Sequence, residues 1–285
     1  MAGTLFVVAT PIGNHEDITA RALRVQREVA LIAAEDTRRT AHLLTRYGIT
    51  TKTTSLHEHN EHGKTASLIA RLQAGDSIAI VSDAGTPTIS DPGVHFIAQA
   101  RAEGIRIEPI PGPSALIAAL SVAGVRTDAF TFLGFPPIRS NDRKTWFENL
   151  AAAGRTVVFY EAPHRVSRTL RELRDRIGDA NIFIARELTK SYETLVKCHI
   201  SEAEVLMAGQ PGEFTIVVEI GQTPYSGAIT AAERPTPSDL AREFGQLTQN
   251  TAVTRRRAIA QLGRKHGLSA RETYAALEQA KKSGS

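Results

Sequence analysis

The residues able to do chemistry cluster at the ends of apolar runs. VSDAGTPTISDPG (Val81 to Gly93) follows the run GDSIAI and holds two each of Asp, Gly, Pro, Ser and Thr. A strand entering such a turn offers backbone N–H groups and short polar side chains at its carboxyl end, where open α/β sheets bind ligands. LFVVATPIGN (Leu5 to Asn14) and IEPIPGPSA (Ile107 to Ala115) have the same character. One loop of this kind is ordinary turn chemistry; three of them ahead of residue 116 point to one shared pocket. None carries GxGxxG or a GK[ST] signature, which argues against a Rossmann dehydrogenase and an ordinary P-loop ATPase.

Further polar segments close other runs. In AEDTRRT (Ala34 to Thr40), Asp36 or Thr37 is placed to cap a helix. In SLHEHNE (Ser55 to Glu61), His57, His59 and Glu61 alternate, so an extended segment puts them on one face. That spacing suits acid–base groups or contacts to a polar substrate. A metal is the weaker reading, because no second His/Asp cluster stands at ligand spacing. FYEAPHR (Phe159 to Arg165) and ARELTKSYE (Ala185 to Glu193) place Glu161, Arg186, Glu187 and Lys190 after apolar strands. Each is either a pocket edge or a solvated strand end.

These segments need elements to hold them. Up to about Leu133, the runs LFVVA, ALIAAED, SIAIVSD and IRIEPIP alternate with helical patterns at Asp17 to Gln26, Thr37 to Tyr47, Gly63 to Ala74, Gly93 to Glu103 and Ser114 to Ser121. Such alternation predicts a mostly parallel sheet covered on both faces. Helix stops are expected at Gly48, Gly75, Gly104 and Gly124. A second part follows, with strands at TVVFYEA, NIFIARE, ETLVKCHI and EFTIVVEIG and a helix near His164 to Ile177. It reads as more antiparallel, because ETLVKCHI and EFTIVVEIG lie close together without a long crossover helix. The expected division is an N-terminal α/β domain (1–130), a second α/β domain (131–221), a Pro/Thr/Ser-rich linker (222–238) and a basic helical extension (239–285).

Of 285 residues, 42% are hydrophobic and 22% charged, a normal balance for a globular protein. The lone Cys198 excludes an internal disulfide and any multi-cysteine metal site. No apolar run reaches the roughly 20 residues of a membrane span. MAGTLFVVAT lacks a basic leader, so a cytoplasmic protein is expected. The segment from Tyr225 holds ten of the 34 Lys and Arg but only five of the 30 Asp and Glu, leaving 24 against 25 in the rest. A neutral body with a basic appendage suits a polyanionic partner; a solvated helical surface is the bland alternative. Within that segment Ala258, Ile259 and Leu262 form one apolar stripe, Gly267 to Ser269 a turn, and Tyr274 and Leu277 a second stripe. This is helix-turn-helix spacing, with a packing pair of helices as the alternative.

The ordered set TLFVVATPIGN, AEDTRRT, SLHEHNE, VSDAGTPTISDPG, PGPSA, FYEAPHR, ARELTK and GEFTIVV resembles the ribosomal RNA small-subunit methyltransferase I family of the tetrapyrrole-methylase superfamily, over about residues 4 to 221. The resemblance implies a two-domain α/β fold with a helix-turn-helix-like extension. It implies a homodimer that methylates the 2′-hydroxyl of one cytidine of 16S ribosomal RNA near the decoding centre. The methyl donor would be S-adenosylmethionine, and the chemistry would need no metal. Pro11, Asp83, Ala84, Gly85, Thr86, Ser114, Ala115 and Ala162 are then the expected cofactor residues.

A ribose hydroxyl is a very weak acid, so a base or a charge that stabilises the developing alkoxide helps. Glu58 and Glu161 are the favoured proton acceptors or ribose-positioning groups, and Lys190 is a third catalytic candidate. His57, His59 and Arg186 are candidates for contact with RNA, as are Arg255, Arg256 and Arg257 of the extension. Two other functions remain open. One is tetrapyrrole C-methylation on the same fold; the other is a ligand-sensing, non-enzymatic regulator that binds nucleic acid.

Overall fold

The computed structural model describes residues 2–220, 237–249, 255, 258, 259, 262 and 270–283. They belong to two compact units, Met1–Pro224 and Tyr225–Ser285. In the first unit β1 (Thr4–Val8), β2 (Leu31–Ala34), β3 (Thr53–Ser55), β4 (Ile78–Val81) and β5 (Arg106–Ile110) form a parallel sheet in the order β3-β2-β4-β1-β5. The central strands LIAA and IAIV are buried at every position, as a sheet covered on both faces requires. The cover is α1 (Ala20–Glu28), α2 (Thr37–Arg46), α3 (Glu61–Gln73) and α4 (Val94–Ala102). Two apolar clusters fill the faces. One is built around Leu5, Leu72, Ile78 and Phe96, the other around Val8, Ala22, Ile32 and Ile110. Gly48, Gly75, Gly104 and Gly124 follow helices with positive φ, as the sequence predicts.

A second sheet follows α5 (Ala115–Val122). It contains β6 (Phe130–Phe132), β7 (Thr156–Glu161), β8 (Asn181–Arg186), β9 (Thr194–His199) and β10 (Phe214–Glu219), in the order β6-β7-β10-β8-β9. Only β6 and β7 pair in parallel. The sheet is mainly antiparallel as expected, yet β9 and β10 are not neighbours. A short helix, α8 (Ile200–Leu206), follows the edge strand β9, and β10 inserts between β7 and β8. The residues explain this. Phe214 to Val218 are all buried, which only a central strand allows, whereas TLVKCH alternates half-buried and exposed, which suits an edge.

One face of this sheet is packed by α6 (Ser140–Ala152), α7 (Val166–Ile177) and α8 around Trp146, Phe159, Leu170, Ile184 and Ile216. The fully buried Phe159 alone contributes roughly 1.5–3 kcal/mol of burial free energy. The other face takes Ala119 and Leu120 of α5 against Val158, Phe183 and Val217. The chain therefore leaves the first sheet through a helix that packs on the second.

In the second unit α9 (Pro237–Gln249) and α10 (Ala270–Ser283) are helical. Ala258, Leu262 and Leu277 are buried, while Tyr274 is half exposed. The expected linker lies outside the described residues except Pro237 and Ser238, which begin α9. The turn at Gly267 to Ser269 lies outside them too. No helix among the described residues is long and apolar enough to cross a membrane.

Candidate active site

All three Gly/Pro loops at the carboxyl ends of β1, β4 and β5 converge. Thr10 and Gly85 exchange backbone hydrogen bonds of 2.8 and 3.0 Å, which zips the first loop to the second. The Thr86 hydroxyl donates to Pro113 O at 3.1 Å and joins the second to the third. Facing them from the second sheet are the end of β7, the end of β8 and the start of β10. Together these segments enclose a cavity of about 420 Å³. A smaller one of about 300 Å³ adjoins it, sharing Ile12, Arg39, Asp83, Ala84 and Glu213.

Backbone strain shapes the β4 loop. Thr88 and Ser90 hold φ of 73° and 67°, a left-handed conformation that non-glycine residues adopt at a cost. Gly93 closes the loop at φ 117°, and a Cβ there would stand 2.4 Å from Ile80 Cδ1. A second tight approach brings in the other sheet. A Cβ on Gly13 would meet Lys190 Cγ at 2.5 Å and Leu188 O at 2.8 Å, and Asn14 N–H donates to Thr189 Oγ1.

Most of the expected cofactor residues come together. Asp83, Ala84, Gly85, Thr86, Ser114, Ala115 and Ala162 line the larger cavity, and Pro11 lines the smaller one. Glu35 and Asp83 lock the ends of β2 and β4 together. Glu35 Oε2 accepts from Asp83 N–H at 3.1 Å, while Asp83 Oδ1 accepts from Asp36 N–H at 3.0 Å. Arg39 pairs with Asp83 at 3.3 Å. Asp36 caps α2 by accepting from Arg38 N–H, as its position in AEDTRRT suggests.

The catalytic candidates are more scattered. Glu58 and His59 are exposed on a turn, and neither lines a cavity. SLHEHNE is not the extended segment its alternation suggests: β3 ends at Ser55, and Glu61 opens α3. Asn60 makes the turn, its Oδ1 accepting from His57 N–H and its Nδ2 facing His57 Nε2 at 2.9 Å. Glu61 turns inward and accepts from Phe96 N–H. His57 is half-buried beside that turn.

Glu161 lines the cavity, but its carboxylate is already bonded. Oε1 accepts from Ala162 N–H at 2.8 Å and pairs with Arg165 at 3.1 Å, while Oε2 accepts from the Thr169 hydroxyl. Lys190 lines the smaller cavity and is clamped between Glu187 (2.8 Å) and Glu213 (3.0 Å). Burial alone would lower its pKa, but those two carboxylates outweigh it and raise it. Arg186 donates to Pro211 O and Tyr192 O, bracing its own loop. Arg255 pairs with Glu278 and lies over the Phe244 ring, while Arg256 and Arg257 fall outside the described residues.

The structure adds residues that sequence reasoning passed over: Glu35, Arg39, Asp91, Phe135, Tyr160 and Glu213 all line the larger cavity. Burial raises the pKa of Glu35, with the Asp83 charge adding to it. Burial also pushes Asp91 up to about 7; a hydrogen bond from Ser82 partly offsets this, and the charges of Glu35 and Asp83 add to it. Tyr160 is raised by burial as well, its oxygen accepting from Leu116 N–H. Its ring packs between Phe132 (5.0 Å) and the half-exposed Phe135 (5.4 Å). The available signal was position alone: Tyr160 lies at the end of β7, Glu35 and Phe135 just after β2 and β6, Asp91 in the loop after β4, Arg39 in the first turn of α2 and Glu213 just before β10. Glu35, Asp91 and Tyr160 stand inside segments picked out for other residues.

Comparison with known proteins bears on this geometry. Residues 4–204 match the tetrapyrrole (corrin/porphyrin) methylase family. A ribosomal RNA small subunit methyltransferase I from Pseudomonas aeruginosa is 48% identical over 237 residues, covering 81% of this chain and 84% of that protein. The chain belongs to the ribosomal RNA small subunit methyltransferase I family. Its counterpart in Escherichia coli O157:H7 is 40% identical over 283 residues, 97% of this chain and 96% of that protein. That match extends the likeness through the basic extension. Solved structures share the fold. A diphthine synthase superposes with a TM-score of 0.63 at 14% identity, over 76% of this chain and 90% of that one. A uroporphyrin-III C-methyltransferase from Thermus thermophilus, complexed with S-adenosylhomocysteine, gives 0.56 at 17% identity, over 76% and 98%.

Proposed function

We propose that this enzyme transfers a methyl group from S-adenosylmethionine to the 2′-hydroxyl of a cytidine in 16S ribosomal RNA near the decoding centre. The family already makes the chain an rRNA methyltransferase; the target atom and its place in the RNA go further. One observation carries the reading: strand-end loops from both sheets meet on a single cavity of about 420 Å³, within the range of small-molecule sites. The residues present fit the cofactor. Glu35 and Asp83 supply negative charge for a cationic sulfonium and ammonium, while Ile12, Ala115, Ala185 and Leu188 supply apolar wall. The bound cofactor brings an activated methyl group, and the protein's task is to bind, orient and exclude water.

Asp83 and Glu35, fixed by each other's surroundings, hold the donor's charged end without reorganising. Gly85, pinned to Thr10, allows close backbone approach. The exposed rim formed by Ile89 and Phe135 offers a surface on which a base turned out of its stack can lie. The Arg-rich extension is suited to phosphates, whereas Lys190 beside the smaller cavity would have to leave Glu187 or Glu213 to meet one. The enzyme would act in the cytoplasm as a homodimer, for which the exposed Ile117 and Val122 of α5 are a candidate surface.

Labelled S-adenosylmethionine incubated with small ribosomal subunits should mark one 2′-O-methylcytidine. Label on a precorrin instead, or on nothing despite cofactor binding, would overturn the assignment. In the same assay, removal of residues 239–285 should weaken subunit binding and lower the log–log salt slope by about 0.7–0.9 per lost phosphate contact. Cofactor affinity should survive the truncation.

A further inference from the structure

We propose that Asp91 is the proton acceptor for the ribose hydroxyl; this rests on the 2′-O-methylation reading above. Each of the other carboxylates around the cavity already accepts a backbone N–H or pairs with a cation. Glu35 accepts from Asp83 N–H, Asp83 accepts from Asp36 N–H and pairs with Arg39, Glu161 is bonded on both oxygens, and Glu213 pairs with Lys190. Among the described residues Asp91 accepts no backbone N–H and pairs with no cation; it lies beside the Ser82 hydroxyl, which donates to Ala84 O at 3.3 Å, and lines the cavity on the loop that holds Thr88 and Ser90 in the left-handed region. Strain of that kind costs free energy and clusters at active sites and ligand clamps.

The surroundings set its proton affinity. Glu35 faces it from the end of β2 and Asp83 from its own loop, with Arg39 of α2 turned onto Asp83; Tyr160 faces it from β7. Burial with two neighbouring carboxylates leaves Asp91 half ionised near neutrality, where a general base is most effective. As the ribose oxygen bonds to the methyl carbon, the carbon–sulfur bond breaks with its electron pair staying on sulfur. The hydroxyl proton passes to an Asp91 carboxylate oxygen and later to solvent.

The test uses the full chain with small ribosomal subunits, measuring single-turnover transfer between about pH 5.5 and 9. The wild-type rate should climb with pH through an inflection near 7 and then level off, since only ionised Asp91 accepts the proton. Asp91→Asn should slow transfer by about 100-fold or more, with affinity for S-adenosylhomocysteine retained by calorimetry. Glu35→Gln keeps an oxygen for Asp83 N–H but removes a facing charge, so it should move the inflection to lower pH. Independently of turnover, carbon-13 NMR of labelled aspartate should show one carboxyl titrating near 7, absent in Asp91→Asn.

Transfer by Asp91→Asn within about tenfold of wild type would overturn the assignment. So would an Asp91 carboxyl titrating near the ordinary value of about 4, or an inflection unmoved by Glu35→Gln. Wild-type enzyme that methylates no RNA would defeat the functional reading, and the NMR titration would still decide the state of Asp91.

Discussion

Alanine in place of Glu161 would untie a chain of buried polar groups. The carboxylate holds Ala162 N–H, Arg165 and the Thr169 hydroxyl; Thr169 in turn accepts from Arg143 at 2.7 Å, and Arg143 pairs with Glu172. Arg165 and Arg143 also donate to Pro136 O and Pro137 O, so the network fixes the loop that carries Phe135. The Glu161 side chain is fully buried, and that of Arg165 is 19% exposed. Removing one member of a buried pair costs about 3–5 kcal/mol. The partial exposure of Arg165 places this case near the lower end, about 3 kcal/mol. For a unit of this size, each kcal/mol lowers Tm by about 2–4 °C, so a fall of about 6–12 °C is expected. Glu161→Gln keeps one acceptor oxygen and should fall between. Differential scanning calorimetry reads the shift, and single-turnover transfer at a temperature where both proteins are folded reads the chemistry. An unchanged Tm with transfer slowed about 100-fold would refute the structural role and restore Glu161 as the base.

Glu58→Gln should leave single-turnover transfer within about twofold of wild type, because the side chain is exposed and outside both cavities. A loss of ten-fold or more would mean that the turn closes over substrate. Gly93→Ala should destabilise by roughly 1–3 kcal/mol, since alanine must hold a positive φ and displace Ile80. Chemical denaturation measures it, and an unaltered midpoint would remove the steric argument.

The parallel sheet was legible because its strands are short apolar runs ended by turn residues and spaced by helices with glycine stops. Loops that end such strands must gather at one edge, so Asp83 to Thr86, Ser114 and Ala115 could be placed together from the sequence. The antiparallel half was harder. A run as apolar as FTIVV, interrupted only by Thr215, demands a central position, but nothing in a linear reading says between which strands. The helix α6 was passed over although Arg143, Trp146, Phe147 and Leu150 keep helical spacing; an arginine on its buried face breaks the apolar pattern. Glu161 and Asp91 look alike in sequence, each an acid at a strand end or turn. Only partners eight residues away or on another strand distinguish a saturated carboxylate from an available one. SLHEHNE misled because alternation over five residues also fits a turn entering a helix.

The place of β10 has a consequence for biosynthesis. The first sheet is complete once Ile110 has emerged, since β5 is its last strand. The second lacks its middle until Phe214 to Glu219 are made, and until then β7 and β8 each present an unpaired edge. At about 5–20 residues per second, translation separates the two events by roughly 5–20 s. During that interval the nascent chain carries a finished half-pocket beside open, aggregation-prone strands. Glu213, Phe214 and Thr215 arrive with β10, so the ligand cavity is walled only when nearly all of the catalytic body has been synthesised. Ligand binding therefore cannot help the early sheet to fold, and a chain stalled before residue 214 would be exposed to proteolysis however well its first half had formed.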